Sequence, residues 1–407
     1  MRFSNRIFSM RFSKIGKCYW TLIFASLMIY TLSMTIFNAQ SDHRKQSNQF
    51  NEPEQSKQFD QSVPKSKSKR SVQSVDKLRP KRSDCYQYSN RPLNTYIDVL
   101  NDISNPEVEP ENGTSIFFLM TSCSKNGIIN LSTSQACAIE SAAYHNPNRT
   151  VFVLFASTVG FPAEMQPATL AVLRSNFTNI HFLNVNIDTF VEGTPVQKFY
   201  HSGKLFTSKY LIEHMSDFLR FLVLYKYGGI YLDTDVIVQK NFDNLPDNFL
   251  GKEAHHGYRI DSVNNAVLGF NGTIGHEILE LCLKEVITSY NPDEYTYNGP
   301  KLLTRILENK ICHTSLAEMT PKKCGGMKVF PPEEFYAINS EDWSHFIDTN
   351  FTESVLDATE NSSIVHLYNH HWRDKIIKKS KSNTRTAYEA IAGRNCPIVF
   401  EASGENI

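Results

Sequence analysis

The window from Ser216 to Asp235 constrains the fold of this chain more than any other segment, and it reads SDFLRFLVLYKYGGIYLDTD. Large apolar side chains recur at helical spacing in and just before it, at Leu211, Met215, Phe218, Leu222 and Tyr225. This spacing predicts a helix with one face in the core. Gly228 and Gly229 follow, and glycine readily takes the left-handed conformation found just past a helix C-terminus. The window therefore predicts a helix that ends at a glycine pair.

The short apolar run 230–232 comes next and predicts a buried strand that leads directly to Asp233 and Asp235. Ligands of open α/β sheets bind at the carboxyl ends of strands. Two carboxylates one residue apart suit Mn²⁺ or Mg²⁺, because these ions prefer oxygen ligands. An isolated Asp-x-Asp is common on protein surfaces. Here the buried strand favours a metal site, since unpaired charges at its end would be costly.

After Cys85 the chain alternates short apolar runs with helical stretches. Strands are predicted at 116–120, 151–155 and 180–185, and helices at 134–144 and 168–176. This alternation is typical of βαβ units around a mostly parallel sheet. The fold class is therefore predicted to be α/β, with one folded domain over residues 85–407.

The stretch 19–37 predicts a transmembrane helix that precedes this domain. It contains no charged side chain, and 19 residues at about 1.5 Å each approach the roughly 30 Å thickness of a bilayer core. Residues 1–18 carry basic and no acidic side chains, so the positive-inside rule predicts a cytosolic tail and type II topology. The alternative is a cleaved signal peptide, for which the sequence 38–40 is a poor cleavage site.

Residues 38–84 are rich in Ser, Gln, Lys and Arg and poor in large apolar residues. Such a segment cannot offset its ordering entropy by burial, so a flexible stem is predicted. The run 79–83, RPKRS, resembles the sites of basic-specific secretory proteases. Cleavage after Arg82, which would release a soluble form, is one hypothesis, and a plain tether is the other.

Glycosylation sequons and cysteines support a luminal location for the domain. Asn-x-Ser/Thr sequons follow the apolar stretch and none precedes it; they lie at Asn112, Asn130, Asn148, Asn176, Asn271, Asn350 and Asn361. Seven cysteines follow the stretch as well, an odd number that predicts at least one thiol outside an intrachain disulfide. Cys312 and Cys324 are the first predicted pair because they are close in sequence. The lack of a C-x-x-C pair argues against a zinc site.

The window 216–235 resembles the DXD-containing sugar-binding region of the α1,4-glycosyltransferase family. Further blocks of that family have similar counterparts here in the same order, namely ACAIESAAYHNPN (136–148), NNAVLGF (264–270), GPKLLTR (299–305), PPEEFYAI (331–338) and VHLYNHHW (365–372). The resemblance covers nearly the whole chain from about residue 115. It implies a GT-A-type nucleotide-sugar-binding fold and a metal-dependent, retaining glycosyl transfer.

The resemblance also implies roles for the acidic residues. Asp235 would be the main metal ligand and Asp233 would approach the ribose and the metal shell. Asp217 and Arg220 match an S-D-x-x-R element that touches the transferred sugar and the diphosphate in similar enzymes. The alternative for this pair is an ion pair on one helix face, since the two residues are three apart. His366 would be a late-sequence ligand of the metal or diphosphate, or else a structural histidine.

Other candidates lie outside the acidic motif. Asn265 and the pair Gly299-Pro300 are expected to shape the sugar and acceptor pockets, or to be turn residues. Trp372 and Arg373 are weaker candidates for the edge of the diphosphate site. Asp261 is a low-grade candidate for a nucleophile.

The implied reaction is transfer from a UDP-sugar in α1,4 linkage to a glycosphingolipid in the Golgi membrane. A metal would neutralise the leaving diphosphate, so no separate general acid is needed, and a same-face displacement is favoured over a covalent intermediate. UDP-galactose, UDP-N-acetylgalactosamine and UDP-N-acetylglucosamine all remain open as donors. Basic and acidic residues balance at 42 each, so nucleic acid is not an expected partner. The alternatives are an enzyme acting on glycoprotein glycans and a sugar-binding protein without turnover.

Overall fold

A computed structural model describes most of the predicted domain, in residues 84–88, 97–124, 126–162, 168–255, 259–372, 377–380 and 384–406. For residues 255 and 259–261 the structure describes the backbone alone. The predicted cytosolic tail and transmembrane helix, and nearly all of the stem, lie outside these residues. Within the part that the structure describes, no helix has both the length and the apolar character to cross a bilayer.

The secondary structure follows the predicted alternation. The strands are β1 (Ile97–Val99), β2 (Ile116–Met120), β3 (Val151–Phe155), β4 (Gly160–Pro162), β5 (Ile180–Asn184), β6 (Gly229–Leu232), β7 (Val236–Val238), β8 (Phe249–His255), β9 (Arg259–Phe270), β10 (Lys328–Phe330) and β11 (Ile364–His366). The helices are α1 (Thr133–His145), α2 (Ala168–Asn176), α3 (Ile187–Phe190), α4 (Gln197–His201), α5 (Leu211–Tyr227), α6 (Gly272–Ser289), α7 (Pro300–Ile306), α8 (Pro332–Phe335), α9 (Thr352–Thr359), α10 (Ala387–Asn395) and α11 (Pro397–Ala402). The predicted strands and helices are all present, and their bounds differ by at most one residue.

Among the described strands, the central sheet has the order β10-β8-β9-β6-β2-β3-β5. β2 pairs in parallel with β3 and β6, β3 pairs in parallel with β5, and β8 pairs in parallel with β10. Only β9 runs against its neighbours, β6 and β8. The prediction of a mostly parallel α/β sheet is confirmed.

The central strands are buried on both faces. Phe117 and Leu119 of β2 pack into one apolar cluster together with α5, whereas Ile116, Phe118 and Met120 pack into a second cluster together with α1. Successive side chains of a strand point to opposite faces, so a strand covered on both sides must be apolar throughout. This explains why β2 and β3 are continuous apolar runs.

Helix α5 is buried more completely than one apolar stripe predicts. Every residue from Asp217 to Leu224 is buried, because α5 packs between the sheet and α6. The helix ends as predicted, with φ of 61° at Gly228 and 91° at Gly229. A Cβ on Gly229 would also lie 2.4 Å from the carbonyl oxygen of Ser115, so both backbone conformation and space require glycine there.

The disulfides in the described residues join Cys85 to Cys123, Cys137 to Cys396, and Cys312 to Cys324. The predicted pair Cys312–Cys324 is confirmed. The prediction of an unpaired thiol is confirmed as well, since Cys282 is free and buried in α6. Cys137–Cys396 connects α1 to the last two helices, so it holds the end of the chain against the first βαβ unit.

Candidate active site

One cavity of about 820 Å³ opens at the carboxyl ends of β2 and β6. Its lining includes residues 119–122 at the end of β2, residues 132–135 at the start of α1, and residues 233–235 after β6. Because β2 and β6 are neighbouring parallel strands, their carboxyl ends meet at the same edge of the sheet. The predicted Asp-x-Asp motif therefore lies at the sheet edge where ligands of open α/β folds bind.

Asp235 is held by the segment that follows β11. Strand β11 pairs with β7 so that His366 lies opposite Val236. As a result, Nε2 of His366 lies 3.2 Å from Oδ1 of Asp235, and the backbone N–H of Asn369 donates to Oδ2 at 3.0 Å. Burial alone would raise the pKa of Asp235, but the neighbouring His366 and the Asn369 N–H lower it. Burial alone would lower the pKa of His366, and the Asp235 carboxylate raises it instead.

Asp233 is the more exposed member of the motif. Its backbone N–H donates to the carbonyl of Ala266 at 2.8 Å, which ties it to the adjacent strand β9. Its Oδ1 accepts a hydrogen bond of 2.5 Å from the hydroxyl of Tyr231 and lies 3.2 Å from Nη1 of Arg220. Tyr231 lies on β6 and Asp233 follows the strand directly, two residues later, so their side chains lie on the same face.

The side chains of Asp233, Asp235 and His366 fit a divalent metal. Each offers one ligand atom, and these atoms lie within 4.8 Å of one another. Nδ1 of His366 is buried, and no hydrogen-bond partner is found for it among the described residues. Two carboxylates and an imidazole bring oxygen and nitrogen donors with a negative charge to one point, as a divalent cation requires. These three residues would hold the ion.

The predicted residues Asp217, Arg220, Asn265 and Gly299 meet in a second cluster that lines or borders the same cavity. The amide nitrogen of Asn265 donates to Oδ1 of Asp217 at 2.8 Å. Nη2 of Arg220 lies 3.4 Å from the same carboxylate oxygen. Burial raises the pKa of Asp217, although Arg220 and the Asn265 hydrogen bond oppose the change.

Arg220 connects the two clusters. Its guanidinium donates hydrogen bonds to the carbonyl and the hydroxyl of Ser216 and to the carbonyl of Asn265, and it forms ion pairs with Oδ1 of Asp233 and Oδ1 of Asp217. Burial would lower the pKa of Arg220, but the carboxylates of Asp233 and Asp217 raise it. Arg220 and Asp217 therefore form more than an ion pair on one helix, because Arg220 also supports the metal motif. Its predicted contact with the diphosphate stays a prediction.

Gly299 is required by its neighbours. It precedes α7, and a Cβ at this position would lie 2.4 Å from both Oδ1 of Asp217 and the amide nitrogen of Asn265. Contacts below about 3 Å force one of the atoms to move. The glycine thus allows the loop before α7 to close over the second cluster.

The remaining candidates make no polar contact with the two clusters that the structure describes. Trp372 lines the cavity and is 4% exposed, but its indole N–H donates to the carbonyl of Leu367 at 3.1 Å and its ring packs on Tyr388. A substrate contact by Trp372 would therefore involve the ring only. Arg373 and the side chain of Asp261 lie outside the described residues.

Several cavity residues were not found from the sequence. Tyr231 could have been found, because its i, i+2 relation to Asp233 on a strand indicates a shared face. Asn369 lies within the block 365–372 that resembles the family, but its role depends on a backbone N–H, which no side-chain pattern shows. Glu253 on β8 lines the cavity, is 7% exposed, and accepts a hydrogen bond of 2.8 Å from Asn264. Nothing in the local sequence distinguishes Glu253 from a surface glutamate.

Comparisons with known proteins agree with this geometry. Residues 132–250 match the glycosyltransferase sugar-binding region containing the DXD motif, and residues 272–403 match the alpha 1,4-glycosyltransferase conserved region. Lactosylceramide 4-alpha-galactosyltransferase of Homo sapiens is 31% identical over 301 residues, which cover 73% of this chain and 80% of that protein. The chain belongs to the α1,4-glycosyltransferase family.

Other similar proteins are more distant from this α1,4-glycosyltransferase. Alpha-1,4-N-acetylglucosaminyltransferase of Homo sapiens is 27% identical over 287 residues, covering 68% of this chain and 80% of that protein. The crystal structure of galactosyltransferase LgtC with donor and acceptor sugar analogs has a TM-score of 0.34 and 17% identity, covering 70% of this chain and 95% of that chain.

The family membership confirms that this α1,4-glycosyltransferase is an enzyme, and its sheet has the mostly parallel α/β arrangement that was predicted. Its DXD region implies a divalent metal and a nucleotide-sugar donor, with a glycolipid or glycan as acceptor. The three residues that could hold the metal and the cluster around Arg220 line the cavity where the donor would bind.

Proposed function

We propose that this α1,4-glycosyltransferase moves a hexose or N-acetylhexosamine from a UDP-sugar, with retention of configuration, to a glycosphingolipid. One observation carries the proposal: Asp233, Asp235 and His366 come together in a cavity that Asp217 and Arg220 also line. A cavity of this size can enclose a nucleotide sugar. By its name, one relative acts on lactosylceramide, and another transfers N-acetylglucosamine. These names support the proposed acceptor and the proposed donors.

Mn²⁺ is the proposed ion, and when bound it would neutralise the diphosphate charge that develops as the sugar leaves. Asp233 and Asp235 would hold the ion together with His366. The N–H of Asn369 orients Asp235, and Arg220 orients Asp233, so both carboxylates are fixed before the donor arrives. Such preorganisation avoids the cost of turning dipoles during the reaction.

The carboxylates near the proposed sugar site favour a same-face displacement. Asp217 is committed to Asn265 and Arg220, and Glu253 accepts a hydrogen bond from Asn264. Hydrogen bonds to a carboxylate oxygen lower its nucleophilicity, whereas a double displacement requires a carboxylate that attacks the anomeric carbon, as in retaining glycosidases. In the proposed step the acceptor oxygen bonds to the anomeric carbon while the bond to the phosphate oxygen breaks. The acceptor proton passes to the departing phosphate oxygen.

We further propose a single-pass type II protein of the Golgi membrane with a luminal catalytic domain. The charge pattern around residues 19–37 supports this topology, and so do the disulfides, which persist in oxidising compartments. Six of the seven sequon asparagines are exposed, and Asn271 alone is half-buried. Release by cleavage after Arg82 remains a hypothesis. A single full-length species in cells and medium, unchanged by Arg82→Ala, would exclude it.

The function can be tested with the full-length chain in detergent micelles. Transfer from UDP-galactose, UDP-N-acetylgalactosamine and UDP-N-acetylglucosamine to lactosylceramide would be measured with Mn²⁺ and with a chelator. We expect metal-dependent transfer from one donor, lost in Asp235→Asn. Transfer only to glycoprotein glycans would change the proposed acceptor, and sugar binding without turnover on any acceptor would contradict the proposal.

A further inference from the structure

Exposed apolar side chains gather at one edge of the cavity. Among the described residues, the large apolar side chains that are most exposed include Tyr210 at 36%, Ile212 at 39% and Tyr295 at 40%. Ile212 and Tyr295 line the cavity, and the ring of Tyr210 meets that of Tyr295 edge to face at 5.4 Å between centroids. Exposed aromatic rings at a cavity opening indicate a binding surface, since each exposes apolar area to water at a cost.

The aromatic surface leads inward to the metal motif. The ring of Tyr295 lies 6.4 Å from that of His370, which also lines the cavity. His370 directly follows Asn369, whose backbone N–H donates to Oδ2 of Asp235, so His370 lies near the metal site. Tyr210, Tyr295 and His370 thus form a row from the outer rim to the reaction site.

The two tyrosines come from distant segments that are locked together. Tyr210 precedes α5 and Tyr295 lies between α6 and α7. His214 is buried between them: its Nδ1 pairs with the hydroxyl of Ser208 at 2.7 Å and its Nε2 lies 3.1 Å from the carbonyl oxygen of Glu294. The backbone N–H of Lys209 donates to the carbonyl of Pro292 at 2.9 Å. The two tyrosines, called the platform below, are therefore held in place before a ligand arrives. This preorganisation reduces the entropy cost of binding on them.

We propose that Tyr210, Ile212 and Tyr295 form the acceptor subsite, on which the apolar face of a terminal galactopyranose stacks. This inference rests on the proposed function and specifies how the acceptor is held. An aromatic face carries negative charge and attracts the polarised C–H groups of a sugar, while its edge and hydroxyl remain available for polar contacts.

Sugar stereochemistry explains the orientation. In galactopyranose, the hydrogens on carbons 3, 4 and 5 share one face, and the axial 4-hydroxyl projects from the other. Stacking of the hydrogen-bearing face on Tyr295 directs the 4-hydroxyl away from the ring and into the cavity. This is the hydroxyl that an α1,4 transfer must present to the donor. A donor held by the metal motif would lie on the inner side of the same cavity.

The test compares Tyr210→Ala and Tyr295→Ala with Tyr210→Phe and with Tyr144→Ala. Tyr144 is 51% exposed on α1 and does not line the cavity. We expect each alanine variant at the platform to raise the acceptor KM by about tenfold or more. The KM for the UDP-sugar should change much less. Tyr210→Phe should retain most acceptor affinity because the ring remains, and Tyr144→Ala should change neither KM. Thermal unfolding identifies any variant that fails to fold.

Two acceptors separate sugar stacking from lipid contact. With both a soluble lactoside and lactosylceramide in micelles, stacking predicts the same rise in KM. A rise with lactosylceramide only would overturn the proposal in favour of a lipid contact. An equal rise in the acceptor KM and the UDP-sugar KM would place the tyrosines at the donor instead. If the wild-type enzyme turns over and the tyrosine variants have an unchanged acceptor KM, the acceptor subsite is refuted while the proposed function stands. If the wild-type enzyme shows no turnover at all, including hydrolysis of the donor, the proposed function itself is refuted.

Discussion

Nη1 of Arg220 lies 3.2 Å from Oδ1 of Asp233, so a buried guanidinium on α5 supports the exposed end of the metal motif. Helix α5 and the strand after it are adjacent in sequence, and the glycine pair turns the chain back so that they pack together. The S-D-x-x-R element and the Asp-x-Asp motif are consequently one structural unit.

We expect Arg220→Lys to lower stability by about 1–3 kcal/mol and to reduce kcat/KM, because an ammonium cannot reproduce a planar fork of five donors. Arg220→Ala should cost about 3–5 kcal/mol, since it leaves two acidic groups without their buried partner. Chemical denaturation and transfer assays measure both effects. Arg394→Lys on the exposed surface of α10 is the control. Equal stability of Arg220→Lys and wild type would contradict the bridging role.

Removal of one metal ligand should be visible in metal binding itself. We expect Asp235→Asn and His366→Gln to weaken Mn²⁺ binding by more than the roughly 10–100-fold that loss of an outer-shell partner costs. Titration followed by electron paramagnetic resonance measures free Mn²⁺ without any need for activity. Asp357→Asn, at an exposed position of α9, should bind like wild type. Unchanged affinity in His366→Gln would leave His366 as a structural residue.

Two glycine substitutions should have opposite effects. Gly299→Ala should reduce activity, because its Cβ would lie 2.4 Å from Asp217 and Asn265 and force the second cluster apart. In Gly393→Ala the Cβ meets nothing closer than 3.8 Å, and alanine within α10 should stabilise the helix by up to about 1 kcal/mol. The donor KM reports the effect of Gly299→Ala on the site, and thermal unfolding reports the effect of Gly393→Ala on stability. Normal activity in Gly299→Ala would show that the loop before α7 can adapt.

The packing of the last helix, α11, should depend on the buried carboxylate of Glu140. Glu140 on α1 is fully buried and accepts hydrogen bonds from the backbone N–H groups of Ile398 at 2.9 Å and Val399 at 2.6 Å. We expect Glu140→Ala to destabilise the protein by at least about 2 kcal/mol, because two buried donors lose their acceptor. Glu140→Gln keeps one acceptor oxygen and should cost less. Similar losses in both variants would show that the charge, rather than the hydrogen bonds, matters.

Cys282 should be unreactive in the native state, since burial raises the pKa of its thiol. The thiol of an unfolded chain loses its proton above about pH 8.5, whereas the folded state keeps it. The unfolded state therefore binds fewer protons, and stability should fall above that pH by at most about 1.4 kcal/mol per unit for this group. We expect Cys282→Ala to have a flatter stability profile between pH 8 and 10. Rapid alkylation of native Cys282 by iodoacetamide would contradict its burial.

The local features were predictable because they depend on neighbouring residues. Helix α5, its glycine terminus and the strand before Asp233 follow from the spacing of apolar side chains and from glycine's conformational freedom. The pair Cys312–Cys324 was predictable since only a short loop separates the two residues. The extent of burial of α5 was not predictable, because a stripe in sequence cannot show that α6 covers a second face.

The sequence by itself determined the α/β alternation, the position of the Asp-x-Asp motif at a strand end and the membership of the family. Only the tertiary structure decided that His366, 131 residues away, lies beside Asp235, and that Tyr210 meets Tyr295. The physical reason is that local propensity acts over a few residues. Contacts between distant segments are instead selected by strand pairing, as between β7 and β11, and by the packing of buried side chains such as His214.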